Sequence, residues 1–156
     1  ISLNFLIRVL AGCSAIAVIP SEWIIAVTFF ISLFLVFIKR KSEIKMLGDK
    51  ATEHRGVLKF YTPQLLDKYI YISATITIAG YLLYTVNEQV IETFGDNRLM
   101  YTTVFVVLGI FRFIQLSDSD IYEDEGDPTS LILRDRFTQI IIGLWLVITI
   151  LIIYIF

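Results

Sequence analysis

FTQIIIGLWLVITILIIYIF, residues 137–156, holds twenty positions without a charge. About 20 mostly apolar residues in a helix cross the hydrocarbon of a bilayer, so this stretch places the chain in a membrane. Immediately before it stands a dense charged stretch, EDEGDPTSLILRDR, residues 123–136. It holds five acids, a Gly-Asp-Pro turn and an Arg-Asp-Arg triplet. Working back from there, further apolar runs appear at 99–116, with Arg112 near its end, and at 65–86, with Asp67 and Lys68 at its entrance. Two more follow at 23–38, after the break at Pro20-Ser21-Glu22, and at 1–18, interrupted by Arg8. Lipid tails offer the backbone no hydrogen bonds, so each run is expected to be a helix. The fold class is an all-α membrane protein with five transmembrane helices in a single transmembrane domain, 1–156.

The charge distribution sets the orientation. The chain is 56% hydrophobic and 18% charged, against about a quarter charged in soluble domains. Seven of the 13 Lys and Arg lie between Lys39 and Lys59, and seven of the 15 Asp and Glu lie between Asp118 and Asp135. The formal net charge of −2 averages over islands of opposite sign and points to no nucleic-acid partner. Loop 39–62 is cytoplasmic by the positive-inside rule, in which acids count little. Alternation then places loop 117–136 and the N-terminus on the same side, and residues 19–22, 87–98 and the C-terminus outside. The first run has no basic n-region and leads straight into a second span, unlike a secretory signal peptide. The chain begins with Ile rather than Met, which reads as a piece of a longer polypeptide. The single cysteine, Cys13, allows no disulfide and reads as a small packing residue.

The polar connections carry the candidate chemistry. If the second helix continues one turn past Ile38, Lys39 and Glu43 share a face and Arg40 borders it. That set suits a phosphate, which Arg grips as a fork and Lys as a point charge; equally, it suits a basic anchor snorkelling to the interface. His54 stands alone as a metal donor, so His54-Arg55 reads as a phosphate contact or as a solvated pair. Thr62 is placed to cap the third helix, with Pro63 in its first turn. Arg8 reads either as lining a polar cavity or as lying near a membrane surface, and Arg112 reads either as a cavity residue or as a snorkelling one. After the Gly126-Asp127-Pro128 turn, Asp127 or Thr129 is expected to cap a short helix running through Arg134. Asp135 then positions Arg134 or Arg136, both facing the mouth of the bundle. Asp118 and Asp120 are a weak metal candidate.

IRVLAG, FIKRKSE, HRGVLKFYTPQLL and GDPTSLILRDR, in this order and with matching spans between them, resemble the C-terminal half of the UbiA-type prenyltransferase superfamily. Within it, the likeness is to the decaprenyl-phosphate phosphoribosyltransferases and their relatives. The resemblance implies that the five spans correspond to the last five of a nine-helix bundle in the plasma membrane. It implies transfer of 5-phosphoribosyl from phosphoribosyl diphosphate to a polyprenyl phosphate, releasing diphosphate, in cell wall biosynthesis. On that likeness Lys39, Arg40, Glu43, His54, Arg55, Tyr61, Arg112, Arg134 and Arg136 bind substrate phosphates and Arg8 lines the cavity. The likeness assigns no catalytic residue here. It also implies Mg²⁺, but the NDxxDxxxD motif that would hold it is absent from these 156 residues. The chain is therefore expected to hold no metal ligands, to be inactive alone and to need the N-terminal half as partner. The alternatives are a prenyltransferase with an aromatic acceptor and a non-catalytic five-helix subunit or remnant.

Overall fold

The computed structural model describes residues 2–15, 21–47, 61–119 and 128–154. They form seven α-helices and one 3₁₀ turn: α1 (Ser2–Ala15), α2 (Glu22–Leu47), α3 (Pro63–Thr85), α4 (Glu88–Phe94), the 3₁₀ turn (Arg98–Thr102), α5 (Thr103–Asp118), α6 (Pro128–Arg134) and α7 (Arg136–Tyr154). No strand occurs among the described residues. Three of these segments, Glu22–Met46, Arg98–Asp118 and Arg136–Tyr154, are long and apolar enough to cross a membrane. A fourth span is made if α3 and α4, which meet at a bend of 52°, are taken together. Three to four of the five expected spans are thus present. The first is described as the 14 residues of α1, short of the about 20 a crossing needs.

Local chemistry sets the helix ends. The Thr62 hydroxyl accepts from the Leu65 amide at 3.2 Å with Pro63 in the first turn, the cap expected from the sequence. Asn87 caps α4 through the Gln89 amide, and Gly95 closes it at φ 77°, a left-handed geometry natural to glycine. Inside α3 the hydroxyls of Ser73, Thr75 and Thr77 donate to carbonyls one turn back, so polar atoms cross the apolar layer already satisfied.

One correction concerns residues 39–47, expected as loop. They continue α2 by more than two turns. Their side chains explain this: Phe34, Ile38 and Lys41 recur at i, i+4 and i+7, so the face that packs on the bundle runs unbroken from the apolar part into the basic part. The short helix expected through Arg134 is present as α6. Its proposed Asp127 cap lies outside the described residues.

The core joins Phe34 and Ile38 of α2, Ile70 and Ala74 of α3, Ile110 and Phe113 of α5, and Leu131 of α6. The α2–α3 pair approaches closely where a Cβ on Gly80 would meet Val27 at 3.1 Å. At the end of the bundle that holds the 3₁₀ turn, Tyr81, Thr102 and Trp145 link three elements. Trp145 Nε1 donates to the Tyr81 hydroxyl at 3.0 Å. The Thr102 hydroxyl donates to Leu99 O, so Tyr81 donates to Thr102 Oγ1, at 2.8 Å.

Candidate functional site

The opposite end of the bundle is built from the last turns of α2, the first turns of α3, the end of α5 and the α6–α7 junction. Lys41, buried on α2, donates to Asp67 at the start of α3 and to Asp118 at the end of α5. Lys45, one turn on, reaches the Asp118 carbonyl at 3.4 Å. These contacts bring the flanks of both long polar connections to one end of the bundle. Nothing in the sequence reading had singled out Lys41. Its signal is the i+7 spacing from Phe34, which turns an otherwise ordinary lysine inward.

A second tie sits beside the first. Arg112 grips Asp135 as a fork, Nη2 to Oδ1 at 2.7 Å and Nε to Oδ2 at 3.0 Å. It also donates to Gln115 at 2.9 Å and lies over the Phe137 ring, 5.5 Å from its centre. Asp135 Oδ2 in turn accepts from the Thr138 amide at 2.8 Å and its hydroxyl at 2.6 Å, which caps α7. The Arg112 guanidinium holds the Asp135 carboxyl well below the usual carboxylate range; burial opposes this and the two Thr138 donors reinforce it. Asp135, expected to position Arg134 or Arg136, takes Arg112 instead, because α5 and α7 pack side by side and bring a guanidinium to the helix start. Gln139 completes the junction by donating to Leu133 O at 2.6 Å.

The other expected residues divide as follows. Arg40 and Glu43 pair one turn apart on α2, and Lys39 is half-buried beside them. Tyr61 is half-buried, its ring 6.5 Å from that of Tyr69. Arg134 and Arg136 are exposed at the α6–α7 junction. His54 and Arg55 lie outside the described residues, as does Asp120. Arg8 is exposed on α1 and is not among the walls of either apolar chamber of this bundle. The reason is that α1 packs chiefly on α2, leaving its far side uncovered.

Among the described residues no three His, Cys, Asp or Glu side chains gather where they could hold a metal. Asp67 and Asp118 share Lys41, Glu43 meets Arg40, and Asp135 meets Arg112. This donor set does not fit Mg²⁺.

Beneath the polar end lies an apolar chamber of about 380 Å³. Phe34 and Val27 of α2, Thr77 of α3, Ile110 and Phe113 of α5, Ile132 of α6, and Thr138 and Trp145 of α7 are among its walls. Thr138 touches both worlds: its side chain lines the chamber while its polar atoms are bonded to Asp135. Charge therefore stops at the Arg112–Asp135 tie and hydrocarbon begins below it. A second chamber, about 240 Å³, lies around Tyr81, Tyr84 and Trp145 toward the other end.

No protein-family profile matches the chain. Individual relatives do. A decaprenyl-phosphate phosphoribosyltransferase of Corynebacterium glutamicum is 26% identical over 155 residues, 99% of this chain and 46% of that protein. That of Mycolicibacterium smegmatis is 27% identical over 152 residues, 94% of this chain and 47% of the relative. That of Mycobacterium tuberculosis is 26% identical over 146 residues, again 94% and 46%. The chain spans about half the length of the curated relatives it matches. The resemblance carried by its motifs is borne out: along almost its whole length the chain is similar to half of a decaprenyl-phosphate phosphoribosyltransferase.

Proposed function

We propose that this chain forms the C-terminal half of an integral-membrane transferase that moves 5-phosphoribosyl from phosphoribosyl diphosphate to a polyprenyl phosphate. The observation that carries the reading is the match over 94–99% of the chain to three relatives bearing that name. The bundle supports it with a basic end set directly above an apolar chamber. In the reaction, the bond between the anomeric carbon and the diphosphate oxygen breaks. An oxygen of the lipid phosphate forms the new bond, and diphosphate leaves with the electron pair. Cations fixed where that charge develops are the protein's main lever on such a step. Lys39, Arg40, Arg134 and Arg136, with His54 and Arg55 from the basic connection, supply them. Arg112, gripped by Asp135, keeps the α5–α7 corner in place beside them, and Tyr61 borders the mouth. The lipid's phosphate lies at the polar end and the first isoprenoid units enter the chamber beneath Thr138.

In this reading α1 continues as a fifth span, the five spans are the last five of nine, and the polar end faces the cytoplasm at the plasma membrane. The Mg²⁺ ligands and the remaining walls come from the other half, so the 156 residues are inactive alone.

The test is an assay in membranes with labelled phosphoribosyl diphosphate and polyprenyl phosphate. It is run with this chain alone and with the unmatched half of a relative supplied. Transfer only with both halves is expected. No transfer with both halves folded and associated overturns the reading. Arg134→Glu and Arg136→Glu are each expected to weaken donor binding in the complemented enzyme about tenfold or more, the loss typical when a charge-assisted phosphate contact is reversed. Unchanged donor affinity removes those two residues from the site.

A further inference from the structure

α7 and α1 differ in what they expose: both carry exposed apolar side chains, but α1 adds a stripe of polar and small residues. The outward face of α7 is hydrocarbon: Phe137, Ile140, Leu144, Val147 and Ile150 are exposed along it, which suits lipid tails. On α1 the half-buried residues Leu6, Val9 and Cys13 mark the side turned to α2. At 100° per residue, Asn4, Arg8, Ala11 and Ala15, all exposed, lie on the far side, with exposed Ile7 beside them and exposed Gly12 at the edge, about a quarter turn from the side facing α2. A Cβ on Gly12 would meet nothing within 4 Å, and among the described residues no carboxylate pairs with Arg8. Arg8 lies about 10 Å along the axis from either end of the helix.

A mid-helix guanidinium does not face lipid tails; charges at that depth turn toward protein or a wet cavity and take a partner. Small residues beside it are what lets another helix approach closely in a membrane. A second copy of this chain is a poor occupant, since a two-fold contact here opposes Arg8 to Arg8. The relatives are about twice as long as this chain, which leaves a comparable length of protein without a place in the bundle.

We propose that the Asn4–Arg8–Gly12 face of α1 is the docking surface for the other half of the enzyme, and that it receives a transmembrane helix bearing an Asp or Glu opposite Arg8. This rests on the half-enzyme reading above and adds to it where the halves meet and what charge the partner carries. Arg8 then acts as the polar key of an interface.

The experiment co-expresses the full 156-residue chain with the half of the Corynebacterium glutamicum relative that it does not match, tagged, and measures co-purification in mild detergent. Arg8→Leu and Gly12→Leu are each expected to reduce capture roughly tenfold, in line with the loss of close packing or of an interhelical polar contact. Gly12→Leu points its new side chain into open space in this bundle, so it blocks docking without disturbing the fold. Leu146→Ala, at an exposed position of α7, is expected to leave capture unchanged. Capture of both α1 variants at the wild-type level overturns the proposed surface, as does an equal loss with Leu146→Ala. Failure of the folded wild-type chain to capture the half at all overturns instead the half-enzyme reading on which the surface rests.

Discussion

Removing either member of the Arg112–Asp135 pair is expected to destabilise the bundle strongly, and removing both is expected to cost little more than removing one. The Asp135 side chain is 7% exposed and that of Arg112 28%. Arg112→Leu strands a buried carboxylate that keeps only its two Thr138 donors. Loss of one partner of a buried pair costs about 3–5 kcal/mol. The surviving Thr138 bonds and the partial exposure of the arginine place this case at the lower end, about 3 kcal/mol. Asp135→Ala removes the α7 cap, worth about 1 kcal/mol, and takes the carboxylate from Arg112, which keeps Gln115 and the Phe137 ring. The arginine is exposed enough to find water, which makes that cost about 2 kcal/mol. The double variant leaves no stranded charge, so its loss stays near that of one single variant, with a coupling of about 3 kcal/mol. Unfolding in mixed micelles with increasing denaturing detergent, followed by far-UV circular dichroism, measures the three losses against wild type. Simply additive losses would refute the claim that the pair ties α5 to α7.

The same carboxyl sets an acid limit. Asp135 has a folded-state value lowered below its unfolded one, so its contribution is fully present above the unfolded carboxylate value of about 4. It is lost only as the pH falls from there toward the folded value. The stability difference between wild type and Asp135→Asn should stay constant from pH 8 to pH 5; a decline already within that interval contradicts the assignment. Lys41→Met should cost about 2–3 kcal/mol, because the ammonium is 10% exposed while its partners Asp67 and Asp118 are 36% and 48% exposed and recover hydration. An unfolding midpoint equal to wild type would remove Lys41 as the tie between α2, α3 and α5. Gly80→Leu should cost about 2 kcal/mol by overpacking against Val27, and Val27→Ala in the same chain should recover part of it, read by the same unfolding assay.

Three to four of the spans, the Thr62 cap and the α6 helix were legible because their causes are local: hydropathy, a hydroxyl before a proline, a turn followed by a short amphipathic run. The extension of α2 to Leu47 was legible in principle, since Lys41 and Lys45 continue the spacing of Phe34 and Ile38. It was missed because a run of bases reads as a solvated connection until its periodicity is checked. The two ties were beyond a single sequence. Lys41 meets residues 26 and 77 positions away, and Arg112 meets one 23 positions away, across loops whose conformation no local rule gives. The arginine triplet misled in a similar way: adjacency suggested that Asp135 serves its neighbours, whereas the first turn of a helix aims such a side chain at its own Thr138 and at whatever cation the next helix presents. Arg8 was recognised as an anomaly, but the side of α1 it occupies depends on packing against α2.

The distribution of ties also explains how the bundle tolerates a chamber. Only 11–33% of the residues in the three long spans are buried, and in lipid no hydrophobic force presses helices together. Association has to come from polar contacts and close packing. These sit at the two ends: Lys41 and Arg112 with their carboxylates at one, and Tyr81 with Thr102 and Trp145 at the other. The apolar middle is left to hold about 380 Å³ of room. In a soluble core such a void would forfeit contacts outright, but in a membrane its walls are also wetted by chains of the same chemistry. A bundle pinned at both ends is therefore suited to admit a hydrocarbon chain between its helices without loosening the charged end above it.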